Sequence, residues 1–233
     1  MVRQLQKASE VKKEVEQKEK RRTPLSRERI LQRAITLADK KGIDALSMRS
    51  LAKALSVEAM SLYNHVKNKD ALLDGMVELV VADIAVPEKK GSWKAQMRER
   101  ALSAHSRLTE HPWAAMLLMS RINIGPFMLN YVDATLACLL HGGFTYAQAD
   151  HAWNTLDSYV YGYTLQSLNF PFAPDEYKDA AEEFMPQLPM EQYPHLAGLS
   201  LEVMEGRHDG LHDLTFGLDL ILDGLERVLS KEP

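Results

Sequence analysis

The 233-residue chain is 45% hydrophobic and 26% charged, with a single cysteine and a formal net charge of −4. That length and apolar content suffice for a substantial core, in one large domain or in a small domain joined to a larger one. No apolar run long enough to span a bilayer occurs and the N-terminus lacks the apolar middle of a signal peptide, so a soluble cytoplasmic protein is expected; the lone Cys138 excludes an internal disulfide and a cysteine-based zinc motif.

The charge is unevenly placed. Residues 1–70 hold seventeen Lys and Arg against nine Asp and Glu, a net of +8, while the remaining 163 hold eleven against twenty-three, a net of −12. Such a split predicts that the front of the chain meets a polyanion and that the rest does not; charge alone fits a membrane surface or RNA as well as DNA. Residues 1–24 read as a charged arm with no core of its own, able to add minor-groove or phosphate contacts. After Thr23-Pro24, Ser26 is placed to cap a helix whose Ile30, Ala34, Leu37 and Ala38 share a face and which stops at Lys41-Gly42. Ser47 can cap a second short helix, "MRSLAKAL", that turns Leu51, Ala52 and Leu55 inward. A third helix is expected from about Glu58 to Val66, and a fourth from near Asn68 through "KDALLDGMVELVVADIA".

Two short helices across a tight turn, the second with a polar outer face, make a helix-turn-helix whose second helix lies in the DNA major groove. Leu51, Leu55, Val57, Leu62 and Val66 are the expected inward anchors. Ser47, Arg49, Tyr63, Lys67 and Lys69 are assigned mainly to phosphates, and Ala59, Met60, Ser61, Asn64 and His65 mainly to base edges, with Arg49 fit for either. Taken singly, each of these residues is equally well explained as the solvated face of a small bundle; the set together is not.

Farther on, Ser92 caps "WKAQMRERALSAHSRLTE", His111-Pro112 breaks it, "WAAMLLMSR" forms a short apolar helix, and Gly125-Pro126 starts another that ends at Gly142-Gly143. Thr145 and Gln148 make a capping box for the long "YAQADHAWNTLDSYVYGYTLQSL". Residues 170–194, with five prolines, are expected to be irregular apart from one helix around "DEYKDAAEEFM". The chain closes on a helix through "LHDLTFGLDLILDGLERVLS". No segment alternates as a strand does, so the fold class is all-α: an N-terminal three-helix helix-turn-helix domain (25–70) and a larger C-terminal helical domain (71–233), to which the family resemblance given below assigns ligand binding and dimerisation.

On these residues the chain resembles a known family. The run "RERILQRAITLADKKGIDALSMRSLAKALSVEAMSLYNHVKNKDALLD" is similar to the DNA-binding domain of the TetR family of bacterial transcriptional repressors over residues 26–86. Ser56 stands where that family commonly has a turn glycine. "GSW", "HGGFT" and "FGLDLILDGLERVL" resemble the C-terminal regulatory domain of the tetracycline repressor subgroup, more weakly. The resemblance implies a homodimer built on the long helix after "GGFT" and the final helix, a palindromic operator in double-stranded DNA, and release by a small-molecule effector. Gly217 and Gly224, seven residues apart on one helix face, fit close packing against a dimer mate or within one subunit. The subgroup's magnesium-tetracycline ligands are not matched: Ile84 and Ala85, Arg100 and Ala104, and Leu117 occupy the corresponding places. No tetracycline response and no cofactor are therefore expected.

Candidate effector-lining residues are Met97, Arg100, His105, Trp113, Met116, Met119, Phe127, Trp153, Tyr161 and Phe170, a set suited to a hydrophobic ligand with a polar or anionic group. Aromatics and methionines at such spacing are also ordinary core. His208 and His212 have metal-ligand spacing on a helix, but Gly210 between them favours a solvated cap, and no metal site is assigned. No phosphate-binding glycine loop, nucleophile elbow or paired-carboxylate arrangement supports an enzyme. The alternative is an architectural, sequence-independent DNA binder, favoured by the basic arm alone.

Overall fold

The computed structural model describes residues 24–88, 91–171, 176–184, 187, 189, 191–208 and 212–229. The charged arm expected over residues 1–24 thus lies outside them except for Pro24. Every regular element among the described residues is a helix. The chain divides into two compact units, one ending at Met76 and the other beginning at Val77.

In the first unit, α1 (Arg27–Lys41) starts where Ser26 accepts from the Arg29 amide and ends where Gly42 takes φ 78. Ile30, Leu31, Ala34, Ile35 and Ala38 are its buried stripe. A 3₁₀ turn (Ile43–Ala45) buries Leu46 just after it and leads to α2 (Met48–Leu55), which Ser47 and Ser50 begin as a reciprocal capping box. Ser56 ends α2 in the left-handed region, at φ 58 and ψ 43, the one non-glycine residue with positive φ among those described. The turn that the family resemblance marked as a glycine position therefore does require left-handed backbone, and serine occupies it at a steric cost of about 1 kcal/mol.

The next helix, α3, spans only Ala59–Tyr63, not Glu58 to Val66 as expected. Its last turn closes through the His65 and Val66 amides on the Leu62 carbonyl, and Val57 at its approach is only half-buried. Leu62 and Val66 do act as its anchors, at 0% and 2% exposure. Asn68 then caps α4 (Lys69–Ala82) by accepting from the Ala71 amide at 2.8 Å. Leu72, Leu73 and Met76 bury the first half of α4 in the first unit. Gly75 lets it approach α1 closely: a Cβ there would stand 2.7 Å from Leu31 Cδ2.

The second unit takes in the end of α4 and seven further helices: α5 (Trp93–Glu110), α6 (Pro112–Ser120), α7 (Pro126–His141), α8 (Tyr146–Leu168), α9 (Tyr177–Phe184), α10 (Pro194–Met204) and α11 (Leu214–Leu229). The caps read from the sequence are present: Ser92 for α5, and Thr145 with Gln148 for α8. Pro112, Pro126 and Pro194 each sit at the first helical turn. The last of these corrects an expectation, because the proline-rich stretch ends by starting a helix.

The core of the second unit lies between α5 and α8, with Met97, Ala101, Ala104 and Leu108 facing Ala149, Ala152, Leu156 and Val160. α11 lies against both. Lys94 pairs with Asp223 and Glu226 at 2.7 Å, Arg98 with Asp219 at 2.8 Å, and the Tyr159 hydroxyl donates to the Leu214 carbonyl at 3.0 Å. Gly217 is explained within the subunit, since a Cβ there would stand 2.3 Å from the Tyr159 hydroxyl, whereas a Cβ on Gly224 would meet nothing within 4 Å.

Candidate nucleic-acid interface and effector cavity

The outward surface of the helix-turn-helix is built by leaving α3 short. With Leu62 and Val66 turned in, Met60 stands 76% exposed and Tyr63 46% exposed, and Asn64 and His65 are exposed in the turn that follows. Ala59 and Ser61 are half-buried at the helix start. Arg49, Lys67 and Lys69 are exposed cations on either side of this face in sequence, two of them flanking the N-terminus of α4. Ser47 is exposed too, but its hydroxyl is engaged in the α2 cap, 3.1 Å from both the amide and the hydroxyl of Ser50. The arrangement offers small side chains, amide and imidazole groups and cations around one short helix, the inventory needed for base edges and phosphates.

In the second unit, the candidate ligand residues separate into two groups. Arg100, Trp153 and Tyr161 converge on Asp157. Trp153 Nε1 donates to Asp157 Oδ2 at 2.7 Å and the Tyr161 hydroxyl donates to the same oxygen at 3.2 Å. Arg100, 1% exposed, places Nη1 2.8 Å from Asp157 Oδ1 and stacks its guanidinium 4.4 Å over the ring of Tyr131. The Arg100 nitrogens and the Tyr131 hydroxyl are shut away from solvent, with Asp157 as the counter-charge of the guanidinium. Burial pushes Arg100 toward deprotonation, but Tyr131 and Asp157 more than offset it and the guanidinium stays charged. Burial raises both tyrosines, so their hydroxyls remain neutral.

A cavity of about 290 Å³ opens beside this cluster, walled by Ala85, Val86, Pro87, Glu88, Gln96, Glu99 and Arg100. The Ser103 hydroxyl pins its rim by accepting from the Ala85 amide at 2.9 Å. Met97 and Trp113 are core residues at 0% and 6% exposure. His105 lies against α8, with Nδ1 2.8 Å from the Thr164 hydroxyl, and desolvation lowers its pKa. Met116, Met119, Phe127 and Phe170 are 56%, 57%, 48% and 40% exposed and line no part of the cavity. His208 and His212 are exposed, residues 209–211 between them lie outside the described chain, and no cluster of metal-ligating side chains occurs among the described residues.

Sequence reading missed Asp157 and Tyr131. The signal for Asp157 was present in Trp153, Asp157 and Tyr161, four residues apart on one face of α8. It also missed Glu78 of α4, whose carboxylate accepts from the Phe127 and Met128 amides at 3.0 Å each and so caps α7 from another helix.

Two family descriptions match the chain. Residues 30–76 match "Bacterial regulatory proteins, tetR family" and residues 86–229 match "Tetracyclin repressor-like, C-terminal domain". Among curated relatives, the HTH-type transcriptional repressor DrrR1 of Streptomyces coeruleorubidus is 30% identical over 217 residues, covering 89% of this chain and 79% of that protein. The tetracycline repressor protein class D of Escherichia coli is 29% identical, covering 88% of this chain and 91% of that one. Among solved structures, the Streptomyces coelicolor TetR family protein ActR in complex with actinorhodin superposes with a TM-score of 0.74 at 29% identity, over 90% of this chain and 100% of ActR. No helix among the described residues is long and apolar enough to cross a membrane. With both halves matched and the fold shared, the chain belongs to the TetR family of DNA-binding transcriptional regulators.

Proposed function

We propose that the protein is a homodimeric repressor that holds a palindromic operator through the face around α3 and releases it when a small molecule other than tetracycline binds in the second unit. The observation that carries the reading is the α3 face itself, with Leu62 and Val66 buried and Met60, Tyr63, Asn64 and His65 held out toward solvent. Ala59, Met60, Ser61, Asn64 and His65 take base edges, and Arg49, Tyr63, Lys67 and Lys69 take phosphates, with Ser47 close to the backbone through its position at the start of α2.

Dimerisation is supported by the outer side of α11, where Phe216, Leu220 and Val228 are 72%, 54% and 42% exposed beside the open Gly224. Gly162 on α8 likewise meets nothing within 4 Å. Two copies joined there can set two α3 helices about 34 Å apart, one turn of duplex. An effector other than tetracycline follows from Ile84, Ala104 and Leu117, which offer no metal ligand. The response runs through α4, since that helix carries Glu78 and Glu78 is bonded to the start of α7. An effector that prefers one placement of α7 thereby shifts the population of α4 geometries.

Selection from random duplexes by the purified protein tests the reading. A recovered palindrome with half-sites one helical turn apart, bound by a dimer in sedimentation, is expected. Binding without sequence preference at rising salt would instead favour an architectural DNA protein and overturn the repressor reading.

A further inference from the structure

We propose that Glu58, so far without a role, is a specificity-determining residue of the DNA-reading face: its carboxylate accepts a hydrogen bond from the exocyclic amine of cytosine or adenine and rejects guanine and thymine at that position. This rests on the operator-binding reading above, in which α3 enters the major groove, and assigns base chemistry to one end of that helix.

The fold makes no use of the Glu58 side chain. Ser26, Ser47 and Asn68 open α1, α2 and α4 with side-chain caps, whereas α3 opens on Glu58, whose carboxylate caps nothing. Its backbone is held all the same, at φ −71 and ψ 141, with the carbonyl accepting from the Ser61 amide at 3.0 Å. The carboxylate is exposed and has no hydrogen-bond or ion-pair partner among the described residues. A bare anion also works against its surroundings, because residues 1–70 carry a net +8, a charge suited to phosphates.

The leading residues of a recognition helix are the ones that meet base edges. From Val57 to Met60 that end of α3 carries no side-chain donor: a valine, the glutamate, an alanine and a methionine 76% exposed. Side-chain donors begin only at Ser61 and continue through Tyr63, Asn64 and His65. In the major groove guanine presents acceptors alone, N7 and O6, and thymine presents O4 and a methyl group. A carboxylate brought against either base loses its water and gains no partner. Met60, two residues on, has no donor with which to rescue such a base. The donors in that groove are cytosine N4 and adenine N6, and either one completes the Glu58 carboxylate once water is displaced. The same charge that is a liability in front of phosphates thereby becomes a selector for amine-bearing bases.

The full-length protein and its Glu58→Ala and Glu58→Gln variants are each carried through selection from random duplexes. Affinities are then measured by fluorescence anisotropy on the selected palindrome and on copies altered at single pairs. In the wild type, one pair of each half-site is expected whose inversion weakens binding about tenfold, as does removal of its amine. The amine is removed by placing the 2-pyrimidinone nucleoside for cytosine or the purine nucleoside for adenine, and the replacement that weakens binding tells the two bases apart. Glu58→Ala should abolish this discrimination, keep that at every other pair, and unfold at the wild-type urea midpoint, since the side chain is exposed and caps nothing. Glu58→Gln, which can also donate, should admit acceptor-bearing bases there. The proposal is overturned by a wild type with no amine-sensitive pair, or by amine sensitivity that survives Glu58→Ala. It is overturned equally if Glu58→Ala gains or loses affinity for every duplex alike with the selected sequence unchanged, which would make Glu58 a solvated charge. A wild type that selects no palindrome sinks the repressor reading and this one together; a palindrome read identically without Glu58 sinks this one alone.

Discussion

Replacing Glu78 with alanine removes the cap of α7 although α7 itself is untouched. Gly125 precedes α7 with no side chain to offer, and Pro126 at its first turn has no amide proton, so the free donors there are those of Phe127 and Met128. Both are bonded to the Glu78 carboxylate at 3.0 Å. A helix cap is worth about 1 kcal/mol and an anion at the helix N-terminus a further 0.3–1 kcal/mol, so Glu78→Ala should cost about 1.5–2 kcal/mol. Gly125→Ala reaches the same contact from the opposite side. A Cβ there would stand 2.0 Å from the Glu78 carboxyl carbon and 2.3 Å from its nearer oxygen, so the carboxylate must leave. The backbone of Gly125, at φ −73 and ψ 162, suits alanine without strain. Each single variant should therefore lose the same stability in urea unfolding, and the double variant should lose little more than one of them. Additive losses, totalling about 3–4 kcal/mol, would refute a shared contact. If α4 receives the effector signal through Glu78, both variants should also bind operator normally while needing more effector for release; an unchanged effector requirement would remove Glu78 from the response.

Ser56→Gly should stabilise the first unit by about 0.5–1 kcal/mol in urea unfolding, because glycine carries no steric cost at φ 58; no gain would mean the turn is unstrained. Gly217→Ala should cost about 1–3 kcal/mol by driving a Cβ into the Tyr159 ring, and a neutral result in thermal unfolding would show that the ring is free to move. Desolvation holds the His105 pKa below its unfolded value of about 6.5, so its native form is the neutral one. Its contribution is fully present above that unfolded value and is lost as pH falls toward the folded one; His105→Asn should flatten the unfolding midpoint between pH 7 and 5, and equal slopes would contradict the assignment. Arg49→Ala and Lys67→Ala should each weaken every duplex alike and lower the salt slope of binding by about one, whereas Asn64→Ala should cost about 1–3 kcal/mol at one base pair; a sequence-dependent loss at Lys67 would move it to base readout.

The parts of the molecule legible in the sequence are those set by short-range chemistry. Ser26, Ser47, Ser92 and the Thr145–Gln148 pair mark helix starts through side chains that reach amides three residues on. The left-handed turn at Ser56 was suggested only by the family resemblance, which has glycine there, and the serine itself argued against it. The length of α3 was not legible, since Leu62 and Val66 fit one continuous helix as well as a helix followed by a turn. Pro194 was counted with four prolines that break structure, and only the chain after it reveals that it opens α10. The cavity was the least legible part. Arg100 was named as an effector-lining residue, but its partners Tyr131 and Asp157, thirty-one and fifty-seven residues away, could not be read from "MRERALSA". Met116 and Met119 drew notice by composition, yet composition does not say which face of a short apolar helix is covered.

The division between the two units falls inside α4, between Met76 and Val77, and not in a loop. Exchange of parts between relatives is consequently governed by angle before length. One residue inserted near that point turns everything after it by about 100°, while seven restore the phase to within about 20° at the cost of some 10 Å of rise. If the second unit governs the first as proposed, a chimera that joins the first unit to another member's second unit should respond or fail according to the residue count modulo one helical turn, and a glycine-rich linker at that point would abolish the response.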